Sequence, residues 1–470
     1  MLSTQKWIEK QELLLKGDVS REIKPKRNYL HFDNRVSSIS PEIQSYIFNR
    51  SAITEHSFYP FIRYTTSVRK RKKKGKGIKV KKRDISYASH KDSLIYSWYA
   101  YQLNDLYEKK LFSLELSESV LAYRAGNGSN VDHACKAFRN IQSLEGAHVV
   151  CMDVKSFFDT LDHKVLKEKW LQILQQEDPK LKQLPDDHYS VYRAITKYSH
   201  VPVEAIYSAL ELDPKNPKPR ERTRLCNSVD FRKKIAEGGL IESNRGTDSV
   251  GIPQGSSMSA ILANIYMIDF DVVAAKTVKE WGGFYYRYSD DVLFAVPLSV
   301  SVAEVEAFVL DQIKAISLKI GEDKTEKYLF SNEKGIYTSR NIETKRKKNI
   351  DYLGLSFDGR RILLKHASLA GYQKKVVAAV KSALRYKHKE NVKMPKRAIY
   401  QRYTRMGKSN YQSYVDRCMT GLSKYGFSAS FLKKQASDYF VHKTIKRLDE
   451  VVRVAIERRR LFKERKRRFL

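Results

Sequence analysis

The sequence predicts a mixed α/β (α+β) chain, and three observations carry that prediction. Short apolar runs that read as buried strands end at or enclose acids: His148–Val154 around Asp153, and Phe284–Val296 around the adjacent Asp290 and Asp291. Stretches with helical apolar spacing separate these runs. From residue 365 to 470 only helical periodicity remains.

The elements follow in order. Residues 1–68 mix helical periodicity with aromatic loops. Residues 69–83 hold eleven basic residues in fifteen and no acid, with Gly75 and Gly77 marking a hairpin tip or a loop. A helix is expected from Ser93 to about Leu111, with Leu94, Ile95, Trp98, Tyr99, Leu103 and Leu106 on its apolar face. Leu121–Asn130 is a turn-rich break, and a helix from Val131 to Ile141 follows. The run 148–154 reads as a buried strand with Asp153 at its exit. Residues 164–240 read as helical, interrupted at Pro179, Pro185 and Pro214–Pro219; 238–265 return to strand and turn before a further helix. Residues 284–297 read as a hairpin whose turn carries the acid pair, with almost nothing polar around it. A helix is expected at about 302–317, a strand pair near 351–364, and helices beyond: one with Leu369, Tyr372, Val376, Val377, Val380 and Leu384, the last with Leu448, Val451, Val452, Ala455 and Ile456.

Composition narrows the partners. The chain has 470 residues, with 88 Lys and Arg against 53 Asp and Glu, a net charge of +35. An excess of this size favours a polyanion, nucleic acid first and an anionic membrane surface second. No run approaches the 18 or so apolar residues a membrane helix needs, and Met1–Trp7 lacks the pattern of a signal peptide. The four cysteines form no Cys-x-x-Cys, so neither a zinc site nor a disulfide framework is expected, and a reduced compartment fits.

Adjacent carboxylates in apolar strands are costly unless a cation pairs them. If the strand ending at Asp153 neighbours the hairpin, three carboxylates converge. An all-oxygen donor set suits Mg²⁺, with two ions clamping a phosphoryl transfer and Mn²⁺ as a substitute. Asp153 taken alone reads equally well as a structural acid or helix cap.

These strings resemble the reverse transcriptases. Asp153-Val154-Lys155-Ser156-Phe157-Phe158-Asp159 resembles their motif A, Gly251-Ile252-Pro253-Gln254-Gly255-Ser256-Ser257-Met258-Ser259 with Leu262-Ala263-Asn264 their motif B, and Tyr288-Ser289-Asp290-Asp291 their motif C. Lys324-Thr325 is similar to motif D and Tyr352-Leu353-Gly354-Leu355 to the primer grip. The resemblance implies a right-hand polymerase: N-terminal extension and fingers over 1–68, fingers with the basic loop over 69–150, palm over 151–365 with a helical insertion at about 164–240, and helical thumb and basic C-terminal extension over 366–470.

Roles implied by the resemblance follow residue by residue. Asp153, Asp290 and Asp291, with the Val154 carbonyl, hold the metals; Lys324 stands by the leaving group as a general acid. Lys81 and Arg83 neutralise the triphosphate, Phe158 gates against a 2′-hydroxyl, and Gln254 and Gly255 lie beneath the nucleotide. Phe157 reads as the core phenylalanine of the pair. Tyr288, Leu353 and Gly354 meet primer and template. Arg69, Lys70, Arg71, Lys72, Lys73 and Lys74, and Arg465, Lys466, Arg467 and Arg468, form two basic arms for RNA. Tyr400, Tyr403, Tyr411 and Tyr414 read either as RNA contacts or as helix core.

Retron enzymes carry a proline where Ala260 stands, and a Val-Thr-Gly where this chain has Tyr352-Leu353-Gly354. The stretches Arg83–Tyr87, Ile95–Ala100 and Ala122-Tyr123-Arg124 resemble the bacterial defence-associated, abortive-infection-like reverse transcriptases. That likeness implies a cytoplasmic bacterial enzyme acting against phage, which uses dNTPs to copy a structured non-coding RNA into DNA. It implies no membrane partner and leaves homo-oligomerisation open. Two rivals stand beside it: a template-independent or protein-primed polymerase, and a non-catalytic RNA-binding scaffold.

Overall fold

A computed structural model describes residues 2–16, 29–71, 77–124, 126–213, 222–244, 249–321, 324–390, 401–403 and 410–437, with Arg453 and Glu457. Its centre is a five-stranded antiparallel sheet in the order β6-β7-β3-β8-β9. The strands are β3 (Gly146–Asp153), β6 (Phe284–Tyr288), β7 (Asp291–Pro297), β8 (Glu326–Glu333) and β9 (Ile336–Asn341). A strand turns alternate side chains to opposite faces, and both faces of this sheet are covered. Val150, Met152, Val292, Phe294 and Val296 enter the core formed with helices Ser257–Tyr266, Ile268–Glu280 and Val302–Ala315. Val149, Leu293, Ala295 and Tyr328 enter a second core with helix Asn130–Ser143. Apolar residues on both faces explain why 148–154 reads as a continuous run rather than an alternating one.

The second sheet has the order β2-β1-β4-β5, built from β1 (Phe61–Arg71), β2 (Ile78–Tyr87), β4 (Ser199–Pro202) and β5 (Glu242–Ser243). A third, β10-β11-β12, comprises Ile350–Tyr352, Leu355–Phe357 and Ile362–Leu364. The central sheet on helices, the second sheet led by the β1–β2 hairpin and the C-terminal helices make a mixed α/β fold with antiparallel sheets. Helices begin where caps permit: Ser89 accepts the Asp92 N–H at 3.2 Å to start His90–Ser113, and Ser129 with Asp132 forms a capping box before Asn130–Ser143.

Of the two readings of the basic segment, the described residues bear out the hairpin, with Arg71 of β1 opposite Ile78 of β2. Several expectations need correcting. The strand pair expected near 351–364 is three strands. The hairpin β8–β9 falls where no strand was expected; its signal was an alternating run broken at Lys334-Gly335, with Gly335 at φ +79°. Within 164–240, β4 pairs in parallel with β1, because only tertiary pairing gives so short a segment a partner. Leu369, Tyr372 and Val376 are buried on helix His366–Glu390 as expected. The apolar residues Leu448, Val451, Val452, Ala455 and Ile456 expected on the last helix, the basic residues Lys72, Lys73 and Lys74, and Arg465, Lys466, Arg467 and Arg468 lie outside the described residues. No single helix among the described residues is long and apolar enough to cross a membrane.

Candidate active site

The acids meet at one end of the central sheet. Asp153, last in β3, is registered opposite Asp291, first in β7, a pairing that brings β-carbons to about 5 Å. Asp290 occupies the β6–β7 turn, and its carbonyl accepts the Val154 N–H at 2.9 Å. Ser289 takes a left-handed conformation, φ +62°, to make that turn. All three acids thus sit where β3 meets the hairpin. Asp291 still reaches solvent, yet the packed wall around it desolvates the carboxylate. With Asp290 beside it, this pushes its pKa up to about 6; Lys365 and Lys81 pull the other way. Lys324 pairs with Asp153.

Among the described residues, no three His, Cys, Asp or Glu side chains close into a metal cage. The donor set at the sheet end is instead an open group of carboxylate oxygens. Mg²⁺ is characteristically held in this way, by one or two carboxylates completed with water and phosphate oxygens.

Of the three acids, Asp290 lines a cleft of about 1460 Å³. Lys81 and Arg83 line one wall from β2, Val154 and Phe158 follow Asp153, and Gln254 and Lys324 complete the group. Lys81, Arg83 and Lys324 are exposed. Phe157 is 3 % exposed in the core, whereas Phe158 is half-buried and faces the cleft, so the two phenylalanines divide as expected.

The Gly251–Ser259 segment is clamped from both sides. Ile252 N–H donates to the Phe158 carbonyl at 2.8 Å, and Ser86 N–H to the Gln254 carbonyl at 2.8 Å. Gly255 has φ +122°, and a β-carbon there would lie 2.5 Å from the Ser86 carbonyl. Its close backbone approach is therefore to strand β2. Leu353 (φ +45°) and Gly354 (φ +93°) turn β10 into β11, beneath the Tyr414 hydroxyl. Tyr288 donates to Asn130 Oδ1 at 3.0 Å. Arg69, Lys70 and Arg71 lie on β1. Tyr403, Tyr411 and Tyr414 pack against the second core, which favours the helix-core reading for these three; Tyr400 lies outside the described residues.

The surroundings of the acid turn correct a sequence expectation. They are not free of polar groups. Arg287 and Asp271 are both 0 % exposed and ion-paired at 2.6 Å. Arg287 Nε also donates to Asp271, and its Nη1 donates to Asn264 Oδ1 at 3.1 Å and to the Ser289 carbonyl at 3.2 Å. Tyr285 donates to Asp271 at 2.7 Å. A fully buried ion pair is worth keeping only with satisfied geometry, and here the guanidinium holds the turn that presents Asp290. The sequence signal was available: an arginine amid buried aromatics requires a buried acid.

Residues 226–357 match the family model described as reverse transcriptase (RNA-dependent DNA polymerase). The matched segment contains Gly255, Asp290, Asp291, Lys324 and Gly354, while Asp153 precedes it. No curated protein matches the chain. Among solved structures, the chain is similar to apo telomerase from Candida tropicalis truncated from its C-terminal domain, at 15 % identity and TM-score 0.36, covering 64 % of this chain and 57 % of that one. Telomerase from Candida albicans in complex with a fragment of telomeric RNA matches at 14 % identity and TM-score 0.34, over 91 % of this chain and 70 % of that one. The Sicinivirus RNA-dependent RNA polymerase matches at 14 % identity and TM-score 0.34, over 86 % and 71 %. The chain thus spans little more than half the length of the first of these.

Proposed function

We propose that this protein is an RNA-directed DNA polymerase that copies an associated structured non-coding RNA into DNA in antiphage defence. The observation that supports the polymerase reading best is the register of Asp153 against Asp291, with Asp290 in the adjoining turn. Asp153, Asp290, Asp291 and the Val154 carbonyl would hold two Mg²⁺ ions. Such ions, when bound, neutralise and clamp the attacking and leaving oxygens of a phosphoryl transfer.

The chain's own residues do the rest. Lys81 and Arg83 attract and orient the triphosphate. Phe158 closes the floor where a 2′-hydroxyl would project, favouring dNTPs. Gln254, held by its carbonyl to β2, supports the nucleotide from below. Lys324 is placed to give a proton to the leaving pyrophosphate. Tyr288, Leu353 and Gly354 guide primer and template, and the basic arms retain the RNA through its phosphates and shape.

Asp290→Ala tests this reading. It should abolish dNTP incorporation and leave RNA retention intact; continued synthesis would overturn the metal assignment. Sequencing the nucleic acid that copurifies from phage-challenged cells tests the template. A product whose sequence follows no bound RNA, or that stays covalently attached to the denatured protein, would favour template-independent or protein-primed synthesis.

A further inference from the structure

We propose that Tyr123 receives the 3′-terminal nucleotide of the growing strand; the inference rests on the polymerase reading above. Tyr123 is 48 % exposed, lines the same cleft as Asp290, and accepts a hydrogen bond from Ser289 Oγ at 3.2 Å, one residue before that acid. Its backbone has φ +63°, a conformation unfavourable for a residue with a β-carbon.

The surrounding structure enforces that conformation. Arg287 N–H donates to the Ser119 carbonyl and the Leu121 N–H to the Arg287 carbonyl, both at 2.9 Å, fixing the segment along the outer edge of β6. Buried Asn264 donates to the Ala122 carbonyl at 3.0 Å. On the other flank, Arg124 forks onto Glu108 and donates to the Val120 carbonyl at 2.8 Å. Buried groups on both sides thus immobilise a residue whose own ring remains in solvent.

Chemistry assigns the occupant. Across the sheet order β6-β7-β3-β8, Tyr123 lies at the β6 edge, Asp290 in the β6–β7 turn, and Asp291 and Asp153 on β7 and β3. Lys324 pairs with Asp153 from the β8 side, where Lys155 N–H also joins the Lys319 carbonyl at 2.8 Å. In phosphoryl transfer, the attacking and leaving oxygens lie on opposite sides of phosphorus. With the leaving pyrophosphate on the lysine side, the strand bearing the 3′-hydroxyl approaches from the Tyr123 side. An aromatic ring there offers stacking to any terminal base.

The test is binding of the full chain to an RNA–DNA duplex carrying 2-aminopurine at the DNA 3′ end. The wild-type protein should quench that fluorophore, and Tyr123→Ala should lose the quenching while its melting temperature stays the same. Tyr123→Phe should retain it. Because this readout needs no turnover, it separates this proposal from the polymerase reading, which fails if the wild type incorporates no dNTP. In steady-state extension, Tyr123→Ala should raise the KM for primer–template about tenfold, the size of one lost base stack, with the dNTP KM unchanged. Equal quenching by wild type and Tyr123→Ala, or a rise confined to the dNTP KM, would overturn the assignment.

Discussion

At the acid turn, Arg287 and Asp271 are sealed from water and hold the backbone of Ser289. Across the same cleft, Lys81, Lys82 and Arg83 stand in solvent on β2. One wall is held by hydrogen bonds in a dry interior; the other acts through a field of mobile charge. Under the polymerase reading proposed above, carboxylates that hold Mg²⁺ need close placement, and their supports here are buried. Phosphates attracted over a distance need only nearby cations, so lysines on an exposed hairpin suffice. The difference predicts that mutations on the first wall change chemistry and stability, and that those on the second change salt dependence.

The largest effect is expected at Asp153. Asp153→Asn removes one carboxylate charge from the sheet end and should lower dNTP incorporation by about a thousandfold, several kcal/mol of transition-state stabilisation, with RNA affinity unchanged in a filter-binding assay. A variant that loses both together would erase the division between the walls.

Arg287→Ala comes next. It strands the buried Asp271 carboxylate and should cost about 3–5 kcal/mol in urea unfolding. Arg287→Met combined with Asp271→Leu should recover most of that stability. Activity should stay low in the double variant, because nothing then donates to the Ser289 carbonyl. Full activity there would show that the turn holds itself.

Gly255→Ala probes the junction between the walls. Its β-carbon would press on the Ser86 carbonyl at 2.5 Å in a left-handed backbone. A loss of about 1–3 kcal/mol is expected, read as a lower melting temperature. No change would mean that β2 moves freely over the Gly251–Ser259 segment.

The smallest effect on stability belongs to the basic wall. Lys81→Ala or Arg83→Ala should alter folding by no more than about 0.5 kcal/mol. If either contacts a phosphate of the bound strand, the slope of log affinity against log salt should fall by about one. A large change in melting temperature would show that β2 depends on those side chains.

Residue pattern made some of this legible. Asp153, Asp290 and Asp291 stood out because acids within apolar strands contradict their surroundings, and a contradiction of that kind is local. The resemblance divided Phe157 from Phe158, and the short helix Phe157–Thr160 puts the first in the core and the second at the cleft. Other features left only a partial signal. The hairpin β8–β9 is half exposed and rich in polar residues, so its pairing depends on β3 rather than on its own apolarity. Arg287 was hidden inside an aromatic string because its partner, Asp271, lies on a different element.

The sequence by itself determined the alternation of strands and helices, the positive charge and the three acids, since each depends on near neighbours or on totals. Tertiary structure alone decided that Asp153 faces Asp291, that Gly255 lies against Ser86, that Arg287 supports the turn and that Tyr123 stands beside it. The reason is physical. Hydrogen bonds and ion pairs between residues distant along the chain exist only after the backbone has brought them within about 3 Å, and no local propensity encodes that approach.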